Sequence, residues 1–341
     1  MSHDSPQRTA PPPIQHGPTA PAPAHRGRRE SRFGIRPPMD GSRAPFRVLI
    51  SSRWLLAGLL GAGAWLAGVA ATPRRWRPAL LSSPLLVALT GLASGLLGAR
   101  RLRFERVTIP VPNLPSALDG FRIVQITDMH LGWPFAATHT REAVRWAREQ
   151  QPHIIALTGD FVAADLEIGL LRDALQGIAA RHGVFATLGN HDYWTETSAV
   201  ERVLAEHGVD LLRNESRRID VNGATVRVVG LDCVWEDLHD LDRALDDHRD
   251  GETVIVLAHE PDVADEVALR GAVLQLSGHT HAGHFSLPWF GPAFLPRHGF
   301  RYYRGLQRVG AMWLYVSRGI GGYPLRLGAP PEVTELTLRR C

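Results

Sequence analysis

The chain has 341 residues, of which 44% are hydrophobic and 21% charged, with a formal net charge of +4. That allows one sizeable packed domain with extensions. It offers no basic stripe of the kind nucleic-acid binding needs, because the middle of the chain is acidic around Asp232, Glu236, Asp237, Asp240, Asp246 and Asp247. Two cysteines, Cys233 and Cys341, do not suggest a disulfide framework.

Residues 1–45 are rich in Pro, Gly, Ser, Arg and His and lack apolar periodicity, which predicts a disordered tail. Residues 46–101 read as a membrane anchor. Trp54–Thr72 and Pro78–Ala99 are uncharged and near the roughly 20 residues of a spanning helix. Together they predict a helical hairpin, with a single span or an export signal as the alternative. Arginines crowd the tail, from Arg26 to Arg47, and follow Ala99 at Arg100, Arg101 and Arg103; three more, Arg74, Arg75 and Arg77, lie in the connection. The positive-inside rule then favours the tail and residues 102–341 on the cytoplasmic side of a cell membrane.

Residues 102–341 read as a soluble α/β domain. Expected strands are Phe121–Thr127, His153–Thr158, Val184–Leu188, Ala224–Leu231, Thr253–Ala258 and Ala272–Ser277, and expected helices are Thr138–Gln150, Leu166–Arg181, Thr197–Glu206 and Leu241–His248.

Five of those strands run into polar residues: Asp128 and His130, Gly159-Asp160, Gly189-Asn190-His191-Asp192, His259, and Gly278-His279-Thr280-His281. Strand ends of an α/β domain converge on one face, where ligands bind. Asp128, His130, Asp160, Asn190, His259, His279 and His281 are oxygen and nitrogen donors without sulfur, a set suited to Mn, Fe or Zn. Seven are too many for one ion and fit two divalent ions sharing a carboxylate, an arrangement that clamps a phosphoryl group. Extended backbone at Asp128-x-His130 and His279-x-His281 would put each pair on one side, and the glycines at 159, 189 and 278 would allow tight turns. His153, His182, His239 and His248 fit no such pattern.

In this order the motifs resemble the calcineurin-like metallophosphoesterase superfamily over roughly residues 107–338. Ser317-Arg318-Gly319-Ile320-Gly321, Gly328-Ala329-Pro330-Pro331-Glu332 and the apolar N-terminal segment are similar to its bacterial membrane-associated branch. The resemblance implies a four-layered α/β/β/α sandwich behind N-terminal transmembrane helices. It implies that Asp128, His130 and His281 hold one metal and Asn190, His259 and His279 the other. Asp160 and a hydroxide, the nucleophile, would bridge them. His191 would face the substrate as a catalytic residue, with Asp192 as its supporting partner. Where the branch usually continues Gly-Gly-Gln, this chain has Ala282-Gly283-His284, which makes His284 a substrate-facing candidate and leaves the substrate class open.

The expected reaction is metal-dependent hydrolysis of a phosphoester, a phosphodiester or a lipid-linked one. Phe285–Tyr303 is aromatic and proline-broken, with Arg297 and Arg301 within it and Arg304 beside it. It reads either as a surface for membrane lipids or as a loop packed over the sheet edge. Relatives implied by the resemblance include a hydrolase of a UDP-linked lipid pyrophosphate in lipid A synthesis. An inactive membrane scaffold is the alternative of another class. Its signature would be a lost ligand, and all seven are present.

Overall fold

The computed structural model of the chain describes residues 46–48, 52–247, 249–287 and 290–341. The expected tail lies outside these, as do His248, at the end of one expected helix, and Trp289 in the aromatic segment.

Helices Ser52–Ala71 and Arg77–Ala99 cover the two apolar stretches, joined through a short 3-10 turn at Arg74–Trp76. The Trp65 indole N–H donates to Ser83 Oγ at 3.0 Å, tying one helix to the other. Among the described residues one helical run, Arg74–Ala99, is long and apolar enough to cross a membrane, with mean hydropathy 1.8. The described apolar part of the first helix, Leu59–Ala71, is shorter than a span needs. Among the described residues, then, one candidate span stands where the sequence predicts two.

Beyond them lie two mixed six-stranded sheets. The first runs Arg103–Val111, Glu332–Arg340, Arg122–Ile126, Ile154–Thr158, Val184–Thr187, Val209–Leu211, its last four strands parallel. The second runs Gly305–Val309, Met312–Val316, Leu274–Ser277, Thr253–Leu257, Ala224–Gly230, Glu215–Val221, with its middle four parallel.

The period of two along each strand sorts side chains between layers. In Ile154–Thr158, Ile154 and Ala156 join the core between the sheets, while Ile155 and Leu157 pack with Ala143, Leu171 and Val203 of the outer helices. In Thr253–Leu257, Ile255 and Leu257 face the first sheet, and Val254 and Val256 pack on the other side with Ala244 and Val267. The result is an α/β sandwich of two packed sheets with helices outside. Buried polar ties cross it, among them Gln125, whose Nε2 donates to Thr158 Oγ1 at 2.9 Å and to the Ser277 carbonyl at 3.0 Å. That tie joins the ends of three strands that carry the candidate donors.

Two expected helices are shorter. The segment from Leu166 is α-helical only over Ile168–Ala174, ending before the left-handed Gly177, and Leu241–His248 is helical only over Leu241–Ala244.

Candidate metal centre

The five strand-end loops are laced together by main-chain hydrogen bonds. Asp128 N donates to Gly159 O at 3.0 Å, His130 N to Asp160 O at 2.9 Å, and Gly278 N to His259 O at 3.0 Å. The side chains do not converge through extended backbone, as the spacing predicts. Asp128, His130, Asp160, His279 and His281 all have positive φ, between 44° and 71°. Left-handed backbone is unusual outside glycine, and its concentration here marks a site whose surroundings force the chain into place.

Two glycines act by close approach. A Cβ on Gly189 would stand 2.3 Å from Asp160 Oδ1, and one on Gly278 would stand 2.1 Å from Asp128 Oδ2. Gly189 has φ −105°, which any residue adopts. Of the three glycines, only Gly159 has the positive φ that the turn explanation requires. The other two are needed because carboxylates lie against their backbone.

The donor atoms form overlapping clusters. His130 Nε2 is 3.1 Å from His281 Nε2, and His281 Nε2 is 3.4 Å from Asp128 Oδ1. Asp160 Oδ2 lies between His130 Nε2 at 3.4 Å and His259 Nε2 at 3.1 Å. His259 Nε2 is 3.2 Å from His279 Nδ1. Donors bound to one ion at 2.0–2.2 Å stand roughly 3.0–3.5 Å apart, so these spacings fit two divalent ions with Asp160 common to both clusters. Asn190 Oδ1 is buried and has no hydrogen-bond partner, an acceptor aimed where a cation would satisfy it.

Outer contacts orient the rings. His259 Nδ1 donates to the Thr158 carbonyl at 2.6 Å, which turns Nε2 toward Asp160 and the cluster. His279 Nε2 does the same to Arg297 O at 2.7 Å, leaving Nδ1 free. His281 differs. Arg326 Nη2 lies 2.8 Å from its Nδ1, which fixes the ring and turns Nε2 toward His130 and Asp128.

Burial, reinforced by His191, drives His130 down to about 3, and burial with His259 does the same for His279. Both rings are thus neutral donors. Burial lifts the Asp128 carboxyl to about 7. Burial also opposes charge on Asp160, but His259 and His191 outweigh it and hold that carboxyl well below its ordinary range. Reciprocally, Asp160 overcomes burial to raise His259 well above the ordinary histidine value. Buried carboxylate charge here demands a positive partner, which a metal ion would supply.

Asp192 does not support the His191 ring, contrary to the sequence expectation. Its Oδ2 accepts from Gly189 N at 2.9 Å and Asp160 N at 2.8 Å, and its Oδ1 accepts from Phe161 N at 2.8 Å. It fixes the loop that presents Asp160. His191 is only partly buried; its backbone N–H donates to Asp160 Oδ1 at 2.9 Å, and its ring packs against Trp194 at 4.5 Å. His284 is nearly buried beside the cluster, 4.6 Å ring to ring from His281, and its Nε2 lacks a partner.

A cavity of about 680 Å³ opens over the cluster, with His130, Asp160, Asn190, His279 and His281 lining it. Trp133, Trp194, Trp235, Tyr323, Phe294 and Leu325 supply an apolar wall, and His191 and His284 also face it. Trp235, which sequence reasoning missed, is placed by the buried Glu260, whose carboxylate accepts from Val234 N at 3.1 Å and Trp235 N at 3.2 Å. The only sequence signal for Glu260 is its position after His259. Arg326, also missed, has no local signal. Phe285, Phe294, Leu295 and Pro296 of the aromatic segment form part of the wall, and Asp262 holds the segment's end by accepting from the backbone N–H groups of Phe300, Arg301 and Tyr302.

Residues 121–283 match the family model described as calcineurin-like phosphoesterase. The uncharacterized metallophosphoesterase YkuE of Bacillus subtilis is 32% identical over 243 residues, 68% of this chain and 84% of the relative. A Bos taurus transmembrane protein with metallophosphoesterase domain is 33% identical over 303 residues, 81% of this chain and 67% of the relative. The UDP-2,3-diacylglucosamine pyrophosphatase LpxG of Chlamydia trachomatis is 28% identical over 320 residues, 77% of this chain and 95% of the relative. Sequence, fold and donor geometry agree: the chain belongs to the calcineurin-like phosphoesterase family and is a metallophosphoesterase.

Proposed function

We propose that this protein hydrolyses a phosphoester that carries an apolar group, a lipid-linked phosphoester or pyrophosphate, at a membrane surface, and that it belongs to the bacterial membrane-associated branch of its family. The observation that carries this reading is the apolar wall around the metal cluster. Beside the polar cluster the cavity is walled by Trp133, Trp194, Trp235, Tyr323, Phe294 and Leu325, a surface that fits an apolar group attached to the phosphate. The name of the Chlamydia relative, a pyrophosphatase acting on a diacylated sugar nucleotide, supports the lipid-linked class.

In this reading Asp128, His130 and His281 serve one ion, Asn190, His259 and His279 the other, and Asp160 both; the interatomic distances support that division for the aspartates and histidines, and the unpartnered Oδ1 supports it for Asn190. Bound there, the ions supply Lewis acidity and a water activated near neutral pH. His191, at the cavity edge, orients the phosphoryl oxygens and donates a proton to the leaving oxygen. Asp192 keeps Asp160 in place. His284 Nε2 offers a hydrogen bond to the group beyond the phosphate.

Residues 46–101 anchor residues 102–341 to the bacterial cell membrane, with the catalytic domain on the cytoplasmic face; the candidate span Arg74–Ala99 and the arginines that follow it support this. Turnover of one headgroup on short and long acyl chains tests the substrate class. The expected result is a kcat/KM that rises with chain length. Equal values for soluble and lipid-linked forms would reject the lipid reading.

A further inference from the structure

We propose that the last turn of the apolar helix Arg77–Ala99 is a structural part of the metal centre, acting through Arg326 as a positioning residue. The inference rests on the two-ion reading of the site.

The helix carries glycines along its length and in the helix before it, but they are not equivalent. Around Gly61, Gly63, Gly68 and Gly91 nothing lies within 4 Å of where a Cβ would stand. At Gly98 a Cβ would lie 2.2 Å from the Arg326 carbonyl oxygen, and at Gly95 it would lie 2.7 Å from Leu325 Cδ1. Arg326 N donates to the Gly95 carbonyl at 2.9 Å. The helix end is thus seated backbone to backbone on Leu325-Arg326, and any larger side chain there pushes that segment away.

What is seated there reaches the site in two ways. Leu325 lines the cavity. Arg326 is buried and spends its guanidinium on the loops around the donors: the carbonyls of Arg318 at 2.9 Å, of His281 at 3.4 Å and of Gly321, and His281 Nδ1 at 2.8 Å. The 318–321 loop in turn lies on Asp128. Gly321 N donates to Asp128 O at 2.8 Å, and a Cβ on Gly319 would stand 2.6 Å from Asp128 Cβ. One buried side chain therefore connects the helix to two donors, Asp128 and His281. A second tie runs in parallel: His139 Nδ1 lies 2.9 Å from Ile320 O, and its Nε2 lies 3.4 Å from Arg100 O, just past the helix.

A buried guanidinium with several carbonyl partners specifies one loop arrangement, because every lost partner leaves a buried donor unsatisfied. Displacing the helix end would shift those loops and loosen the donors without touching them. The effect would appear first in metal affinity, as it does for other contacts behind metal ligands.

The test uses the full chain in lipid nanodiscs and compares Gly98→Val, Arg326→Lys and Gly91→Val with wild type. Gly91→Val is the matched control: the same change in the same helix, in open space. Mn content is measured by elemental analysis, and Mn activation midpoint, kcat, KM and Tm are measured with a soluble aryl phosphodiester. The expected result is a Mn midpoint raised by about 10–100-fold in Gly98→Val and Arg326→Lys, with kcat restored at saturating Mn, and wild-type behaviour in Gly91→Val. A wild-type Mn midpoint in both Gly98→Val and Arg326→Lys overturns the proposal, as does an equal rise in Gly91→Val. His281→Ala separates the levels. If it retains full Mn content and turnover, the two-ion reading itself fails; if it loses them while Gly98→Val and Arg326→Lys do not, only the coupling fails.

Discussion

Asn190 and His281 are the clearest residue-scale probes, since both line the cavity and the proposed division assigns them to different ions. Asn190→Ala and His281→Ala should each lower kcat/KM by more than the roughly 10–100-fold typical of losing a contact behind a ligand. Steady-state kinetics with metal content on the same samples checks this; near-wild-type turnover in either metal-replete variant would contradict the assignment. Gly278→Ala should do comparable damage, because its Cβ would stand 2.1 Å from Asp128 Oδ2 and must displace that carboxylate. Loss of bound metal from a protein with normal circular dichroism is the expected signature. Full metal content in Gly278→Ala would show that Asp128 is free to move. At this scale the donors themselves were legible in the chain, because each follows an apolar strand. Their backbone conformation was not: alternation predicts extended Asp128-x-His130, and only the lacing of five loops produces positive φ there. Asp192 was misread for a related reason. Adjacency to His191 suggested a partner, but its three backbone donors come from Gly189 and from the distant loop at Asp160 and Phe161.

At the scale of elements, the strands that position the site were legible as short apolar runs, and the expected Ile- and Val-rich segments appear within a residue or two. The pair Arg103–Val111 and Glu332–Arg340 was not read as strands, since charged residues interrupt both and they meet only through a register that joins the two ends of the domain. The aromatic segment shows what a loop can do when it is held. Asp262 accepts three backbone N–H groups at its end, and its Phe294 and Leu295 line the cavity. Asp262→Ala should release that wall at a stability cost of about 1–3 kcal/mol for the unsatisfied donors. We expect KM for a long-chain substrate to rise several-fold while kcat for a small soluble diester stays near wild type. An equal loss on both substrates would assign the loop to the fold and not to substrate selection. The segment is partly turned inward: Leu295 is buried, while Phe294 is 47% exposed. Of the two readings of the sequence, the loop over the sheet edge fits this placement, and part of it lines the cavity.

For the whole molecule, the sandwich brings donors from both sheets to one edge, and the apolar helix ends against the same edge. The two sheets supply different parts of the set: Asp128, His130, Asp160 and Asn190 follow strands of the first, and His259, His279 and His281 follow strands of the second. Assembly of the site therefore reports assembly of the sandwich. Binding to the folded state alone stabilises it by mass action, about 2.7 kcal/mol at a free concentration of 100 Kd. Removing metal with a chelator should accordingly lower Tm, and re-addition should restore it; an unchanged Tm would mean that the donors do not hold metal in the folded protein. The division into clusters sharing Asp160 is the central claim, and stoichiometric titration tests it most directly. Apo-protein is titrated with Mn or Zn while bound metal and phosphodiester turnover are followed together. The account predicts saturation at two ions per chain, with full turnover only after the second is bound; full turnover at one ion per chain would contradict it.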